Sequence, residues 1–244
     1  MHKIILHQIS KSFGSTSVLD RLFYQFDLRY SYAILGKSGA GKSTLISLLA
    51  GTEDADQGQI YWDEQNLISL TPNQRAKFWN TQVGLIFQQA NLITELSVLE
   101  NVMLKSLISG QDRSQAQDQA TELLVQVGLD HKLFTAPATL SRGQQQRVAI
   151  ARALMGQPKV ILADEPTASL DAETGVQIIE LLMQMHQQYQ VGLIIGTHDA
   201  QISQAVDVCL ELRAGKLAII AKPDKLNSET LTFNEVVLDE QVVR

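Results

Sequence analysis

The chain has 244 residues, enough for one large domain or two small ones with a sizeable core. Hydrophobic residues at 45% and charged residues at 19% place it with ordinary globular proteins, neither disordered nor fibrous. A formal net charge of −6 offers no electrostatic footprint for DNA or RNA, so no nucleic-acid partner is expected.

The N-terminus reaches only Ile4-Ile5-Leu6 before His7 and Gln8 interrupt it, which argues against a signal peptide. No apolar run approaches the roughly 18 residues that a membrane span needs. Any membrane role is therefore expected to come through a partner subunit. The single cysteine, Cys209, cannot form an internal disulfide, and its neighbours Val206, Val208 and Leu210 predict a buried thiol.

Lys3 to Ile9 reads as a strand, and Arg21 to Leu28 as a second strand after the turn Phe13-Gly14-Ser15-Thr16. Phe13 at this turn has two open readings: a packing aromatic, or an exposed ring able to stack on an adenine face. Next comes Tyr32-Ala33-Ile34-Leu35, a short apolar strand. It runs directly into Gly36-Lys37-Ser38-Gly39-Ala40-Gly41-Lys42-Ser43-Thr44, and a helical pattern from Leu45 to Ala50 leaves it.

Strand, glycine-rich turn, helix is the context that the phosphate-binding pattern G-x-x-x-x-G-K-[ST] requires. Gly36, Gly39 and Gly41 let backbone amides crowd around an anion, and the positive end of the helix dipole favours phosphate there. Lys42 is placed to reach the β- and γ-phosphates, and the Ser43 hydroxyl to complete a Mg²⁺ shell. These residues predict a nucleoside triphosphate site.

Downstream, Gly51 to Gly58 is turn-rich, Gln59 to Trp62 is a strand, and Pro72 to Asn80 is a short helix opened by proline. Val83 to Phe87 is a compact strand ending at Gln88-Gln89. From about 90 to 156 the pattern is helical. Ser97 with Glu100 three positions later forms a capping box. Leu123, Leu124 and Val127 make an apolar stripe ending at Gly128, and Pro137-Ala138-Thr139 breaks the pattern. Leu140-Ser141-Arg142-Gly143-Gln144 then leads into a helix through Met155.

Val160 to Ala163 is a buried-type strand that ends on Asp164-Glu165. Four apolar residues closed by an acid, downstream of a phosphate loop, form a Walker B pattern in which Asp164 holds Mg²⁺ through water. Glu165, one position on, is either a general base for an attacking water or a charge at a helix start. Thr174 to Gln190 is a long helix on which His186 is expected to be solvated or snorkelling. The strand Leu193 to Ile195 ends at Gly196-Thr197-His198-Asp199, and two strands, Val206 to Leu212 and Lys216 to Ala221, finish the pattern. Residues 222–244 read as a C-terminal extension.

Strands alternating with helices imply an α/β fold with a mainly parallel sheet. The β-rich leader predicts an antiparallel N-terminal subdomain, and residues 90–156 an inserted α-helical subdomain within a domain spanning 1–221.

The ordered set of motifs now allows a comparison. Phosphate loop, Gln88 after an apolar strand, Leu-Ser-x-Gly-Gln, apolar-Asp-Glu, Ser169-Leu170-Asp171 and Thr197-His198-Asp199 resemble the ATPase subunits of ABC transporters. The resemblance covers roughly residues 1 to 220. It implies a P-loop NTPase core that binds ATP with Mg²⁺ and hydrolyses it. In its terms Phe13 stacks on adenine, Gly36 to Thr44 cradle the phosphates, and Gln88 contacts Mg²⁺ or the attacking water. Glu165 is then the catalytic base, His198 positions the γ-phosphate and water, and Asp171 lies on a loop that crosses a dimer interface.

The resemblance further implies that Ser141, Gly143 and Gln144 complete the site of a second copy, giving a dimer around two ATP molecules. The chain departs from the family at Arg142, where the usual residue is glycine. That substitution questions the local backbone freedom. Either the side chain is tolerated and points away, or it meets phosphate or a partner carboxylate.

Val83 to Leu92, Ser97 to Val102 and Gly143 to Leu154 resemble the bacterial lipoprotein-release, macrolide-efflux and FtsE-like group. That likeness implies a peripheral subunit on the cytoplasmic face of the inner membrane. A permease would dock in the groove near Gln88. The alternative is a soluble ABC ATPase acting on nucleic acid or ribosomes. Only 97 positions separate Thr44 from Ser141, too few for an inserted long coiled coil, and the chain holds one cassette. Substrate, direction of transport and the identity of the permease are not written in this sequence.

Overall fold

The computed structural model describes residues 2–199 and 202–221. Two sheets organise it. The first is antiparallel: β1 (Lys3–Phe13), β2 (Thr16–Asp27), β4 (Gln57–Trp62) and the short β5 (Gln65–Asn66), in the order β2-β1-β4-β5. The second has six strands, β10-β9-β3-β8-β7-β6. They are β3 (Ser31–Leu35), β6 (Val83–Ile86), β7 (Val160–Asp164), β8 (Gly192–Thr197), β9 (Val208–Arg213) and β10 (Lys216–Ala221). Five of these run parallel, and β10 closes the edge antiparallel to β9.

The helices are α1 (Lys42–Ala50), α2 (Pro72–Gln82), α3 (Val98–Ile108), α4 (Arg113–Gln126), α5 (Arg142–Leu154), α6 (Ala172–Tyr189) and α7 (Ile202–Ala205). Alternation along the strands sorts the core into two halves. On β7, Ile161 and Ala163 face the side covered by α3, α4, α5 and α6, whereas Val160 and Leu162 face α1 and the antiparallel sheet. Both faces are covered, which is why the central strands read as unbroken apolar runs.

Several expectations are revised. The first two strands are longer than their apolar patterning indicated and run up to the Phe13 turn, with register shifts between Leu6 and Ser12 that break strict alternation. The helical stretch is three helices with two short 3₁₀ turns, Asp130–Lys132 and Pro137–Thr139. Its last helix, α5, packs on β6 and α6, so the insert shares one continuous core with the sheet. The strand expected from Val206 begins two residues later, at Val208, after the short helix α7.

His186 is buried, not solvated. Its Nδ1 lies 2.6 Å from the Val191 carbonyl, tying off the C-terminus of α6, and its Nε2 lies 3.8 Å from Asp207. A buried backbone carbonyl just past the helix that needs a partner outweighs the solvation of one imidazole. Cys209 is buried as expected, and burial pushes its thiol pKa up. Among the described residues no helix is long and apolar enough to cross a membrane. The expected extension at 222–244 lies outside the described residues.

Candidate nucleotide site

The site grows from the C-terminal ends of three neighbouring parallel strands. β3 pairs with β8 so that Leu35 lies opposite Thr197, and β7 pairs with β8 so that Asp164 lies opposite Gly196. Register alone therefore brings Gly36, Asp164-Glu165 and His198 to one edge of the sheet. Open α/β sheets bind ligands at this edge.

Gly36 to Gly41 turn the chain from β3 into α1. Gly41 caps the helix at φ 102°, and a Cβ there would stand 2.6 Å from Val18 Cγ1 of β2. Only glycine combines that left-handed backbone with so close an approach. The first turn of α1 contains no acid and receives no side-chain cap, so its amides are left for an anion. Lys37, Ser38, Gly39 and Ser43 are exposed along the loop, while Ala40 and Thr44 are half-buried.

Lys42 is the exception to this exposure. It is buried, and its Nζ donates to the carbonyls of Gly36 at 2.8 Å and Lys37 at 3.3 Å. The same ammonium lies 3.1 Å from Glu165 Oε1, while the other carboxylate oxygen lies 2.8 Å from His198 Nδ1. Glu165 is thus held between a lysine and a histidine. Its backbone is left-handed at φ 49° and its N–H donates to the Gly196 carbonyl at 2.8 Å, a cost that the strand-edge contacts hold in place.

Asp164 Oδ1 is buried with no hydrogen-bond partner among the described residues. Burial pushes its pKa up; the nearby Ser43 hydroxyl opposes that shift and the Glu165 charge adds to it. An orphaned carboxylate oxygen beside a serine hydroxyl suits a hydrated divalent cation. No cluster of three His, Cys, Asp or Glu among the described residues could hold an ion unaided. A cation here would complete its shell with water and phosphate.

Phe13 is 52% exposed at the β1–β2 turn, so part of its ring is open to solvent. Lys11, two residues away on β1, places its ammonium 5.4 Å from the ring centroid. That ammonium is pinned by Glu53 at 2.6 Å, Asp56 at 3.4 Å and the Asp54 carbonyl at 2.7 Å, on the loop that follows α1.

Ser141, Gly143 and Gln144 lie elsewhere. They open α5, which packs against α3, α4, α6 and β6, whereas Lys42 opens α1, which packs on β7 and β8. Ser141 and Gln144 form a capping box: Ser141 Oγ accepts from the Gln144 N–H at 3.2 Å, and Gln144 Oε1 accepts from the Ser141 N–H at 3.0 Å. Gly143 is required by proximity, because a Cβ there would stand 2.5 Å from Thr174 Cγ2 on α6. Arg142 occupies the first helical position with no left-handed backbone, so the glycine usual there is not needed. Its side chain does not simply point away: Nη1 donates to the Ser169 carbonyl at 3.3 Å.

The exposed Gln88 is held by its backbone, whose carbonyl accepts from Ser169 Oγ at 3.2 Å. Two residues not singled out in the sequence also grip this segment. Gln146, buried on α5, donates to the Phe87 carbonyl at 3.0 Å, and Arg152 donates to the carbonyls of Ala90 at 2.6 Å and Asn91 at 2.8 Å. The readable signal was polarity on a buried stripe, since Gln146 shares its helix face with Ile150 and Ala153.

Residues 19–168 match the ABC transporter family, well over half of the chain. The chain belongs to the ABC transporter family. It is 40% identical over 206 residues to the lipoprotein-releasing system ATP-binding protein LolD of Xanthomonas campestris, covering 84% of this chain and 86% of that one. An uncharacterized ABC transporter ATP-binding protein of Escherichia coli, YbbA, is 40% identical over 216 residues, covering 87% and 95%.

Among solved structures, a dimeric bacterial ABC transporter cassette, MJ0796, superposes with a TM-score of 0.80 at 31% identity, covering 88% of this chain and 96% of that one. A dimeric post-hydrolysis state of the same cassette bound to ADP and Pi also gives 0.80, at 29% identity, covering 90% and 100%. This ABC chain is an ATP-binding, ATP-hydrolysing subunit with the α/β cassette fold. The relatives are transporter components, and a role on nucleic acid or ribosomes is not favoured.

Proposed function

We propose that this ABC subunit dimerises around two Mg²⁺-ATP molecules on the cytoplasmic face of a bacterial inner membrane. It would drive a permease of the lipoprotein-release type. The observation that carries the site assignment is the Lys42–Glu165–His198 cluster at the strand ends. The subgroup rests on 40% identity to a protein named for lipoprotein release.

Each part then has a task. Gly36 to Thr44 hold the phosphates with backbone amides and the Lys42 ammonium. Phe13 stacks on adenine. Ser43 and Asp164 would hold Mg²⁺, with Gln88 contacting the ion or the attacking water, and the ion would neutralise charge on the phosphate oxygens. Lys42 is bound to two loop carbonyls and to Glu165. Phosphate recruits the ammonium and frees Glu165 Oε1 to accept a proton from the attacking water. His198, already on the other carboxylate oxygen, fixes the orientation of that base. The water oxygen bonds to the γ-phosphorus as the bond to the bridging oxygen breaks, and ADP departs with that electron pair. Ser141, Gly143 and Gln144 of the second copy complete each site.

Glu165→Gln tests the base assignment. The amide keeps the shape but cannot take a proton, so the variant is expected to bind ATP, dimerise and lose turnover by at least about 100-fold. Hydrolysis at the wild-type rate would show that Glu165 is not the base. Purification from detergent-solubilised membranes tests the partner: an integral permease should accompany the chain. A neighbouring reading frame with four spans and a large periplasmic domain supports the lipoprotein-release type, and six spans per permease opposes it.

A further inference from the structure

The start of α5 does more than present Ser141 and Gly143. Arg142 crosses from it to the loop that follows Glu165, donating to the Ser169 carbonyl at 3.3 Å. Ser169 passes the contact on, since its hydroxyl donates to the Gln88 carbonyl at 3.2 Å. Arg142 and Ser169 share the wall of a cavity of about 490 Å³ with Gln89, Thr94, Pro137 and Gln145, where these segments meet. Further along α5, Gln146 and Arg152 hold Phe87, Ala90 and Asn91 by their carbonyls. Gln88 lies between these anchors, and its own carbonyl is fixed through Ser169.

We infer that Arg142 is a positioning residue that couples the two nucleotide sites of the dimer. The inference rests on the site assignment above. Ser141 and Gly143 face the nucleotide of the other copy, while Gln88 and Glu165 serve the nucleotide of their own. The Arg142–Ser169–Gln88 relay joins these two groups inside one subunit. A shift of the α5 start on engaging the other copy's phosphate is carried to the Gln88 backbone. Glycine at 142, the residue usual in the family, has no side chain with which to make this link. The relay is therefore particular to chains with a long donor at that position.

The test has two readouts. Hydrogen exchange of the backbone amides at 88–91 in the nucleotide-free full chain reads the relay itself, whatever the site residues do. The Hill coefficient for ATP in steady-state hydrolysis reads the coupling. Arg142→Gly and Ser169→Ala are each expected to speed exchange at 88–91 about two- to tenfold, the range for losing one hydrogen bond. Each should also lower the Hill coefficient toward 1. The double variant should exchange no faster than the more affected single variant, because both break one relay. Arg142→Lys, which keeps a donor, should exchange close to wild type.

Additive single effects, an Arg142→Gly protein with wild-type exchange, or Arg142→Lys as fast as Arg142→Gly would overturn the relay. A Hill coefficient of 1 in the wild type, or one unmoved by Arg142→Gly, would overturn the coupling. Failure of the site assignment is seen separately, as turnover by Glu165→Gln.

Discussion

Gly143 gives the sharpest quantitative test of how the Ser141 segment is seated. A Cβ at this position would stand 2.5 Å from Thr174 Cγ2, well inside van der Waals contact. Thr174 cannot rotate freely to make room, because its hydroxyl donates to Asp171 at 2.7 Å within the cap of α6. Either that bond is lost or α5 shifts against α6, an overpacking cost of about 1–3 kcal/mol. Alanine in place of glycine returns up to about 1 kcal/mol of helix propensity. Gly143→Ala should therefore destabilise by about 0.5–2 kcal/mol.

Thr174→Ser removes the offending methyl and keeps the hydroxyl on Asp171. In that background Gly143→Ala should be neutral or stabilising, for a coupling of about 1–3 kcal/mol across the pair. Urea denaturation of the four proteins at one temperature and salt concentration measures the cycle. A coupling below about 0.5 kcal/mol would refute the steric account.

Leu162→Ala empties a fully buried position on the central strand β7 and should cost about 2–5 kcal/mol, read as a fall in the urea midpoint. Lys105 donates to the Val83 carbonyl from a largely buried position, and burial lowers its pKa to about 8. Its folded-state pKa lies below the unfolded value, so the unfolded chain holds the extra proton between about pH 8 and 10.5. The wild type should gain stability relative to Lys105→Met as pH rises through that window, and a flat difference would refute this. Lys11→Met removes the ammonium beside Phe13 and should raise the Kd for ATP by about two- to fivefold, within the range for a cation–π contact. Binding of a fluorescent nucleotide would report it.

The local motifs were legible because each is a short run whose chemistry does not depend on distant partners. Gly36 to Thr44 announced a phosphate loop, Val160 to Glu165 an acid-tipped buried strand, and Ser97 with Glu100 a helix start that the structure caps as expected. Their order along the chain was enough to place them in one family, as the match over residues 19–168 shows. His186 was misread because a lone imidazole on a helix carries no sign of the Val191 carbonyl waiting beyond its end. The extent of β1 and β2 was misjudged because their register shifts defeat strict alternation.

The sequence alone, then, determined which chemical groups exist and which element each one ends. Those are properties of spacing over a few residues. Tertiary structure decided which groups meet. The parallel register of β3, β8 and β7 sets Lys42 against Glu165 across more than 100 positions of chain, and Glu165 against His198 on the neighbouring strand. Packing of α5 on α6 decides that Gly143 must lack a side chain and that Arg142 reaches Ser169. Such pairings depend on strand order and helix contact across long loops, and no local pattern encodes them.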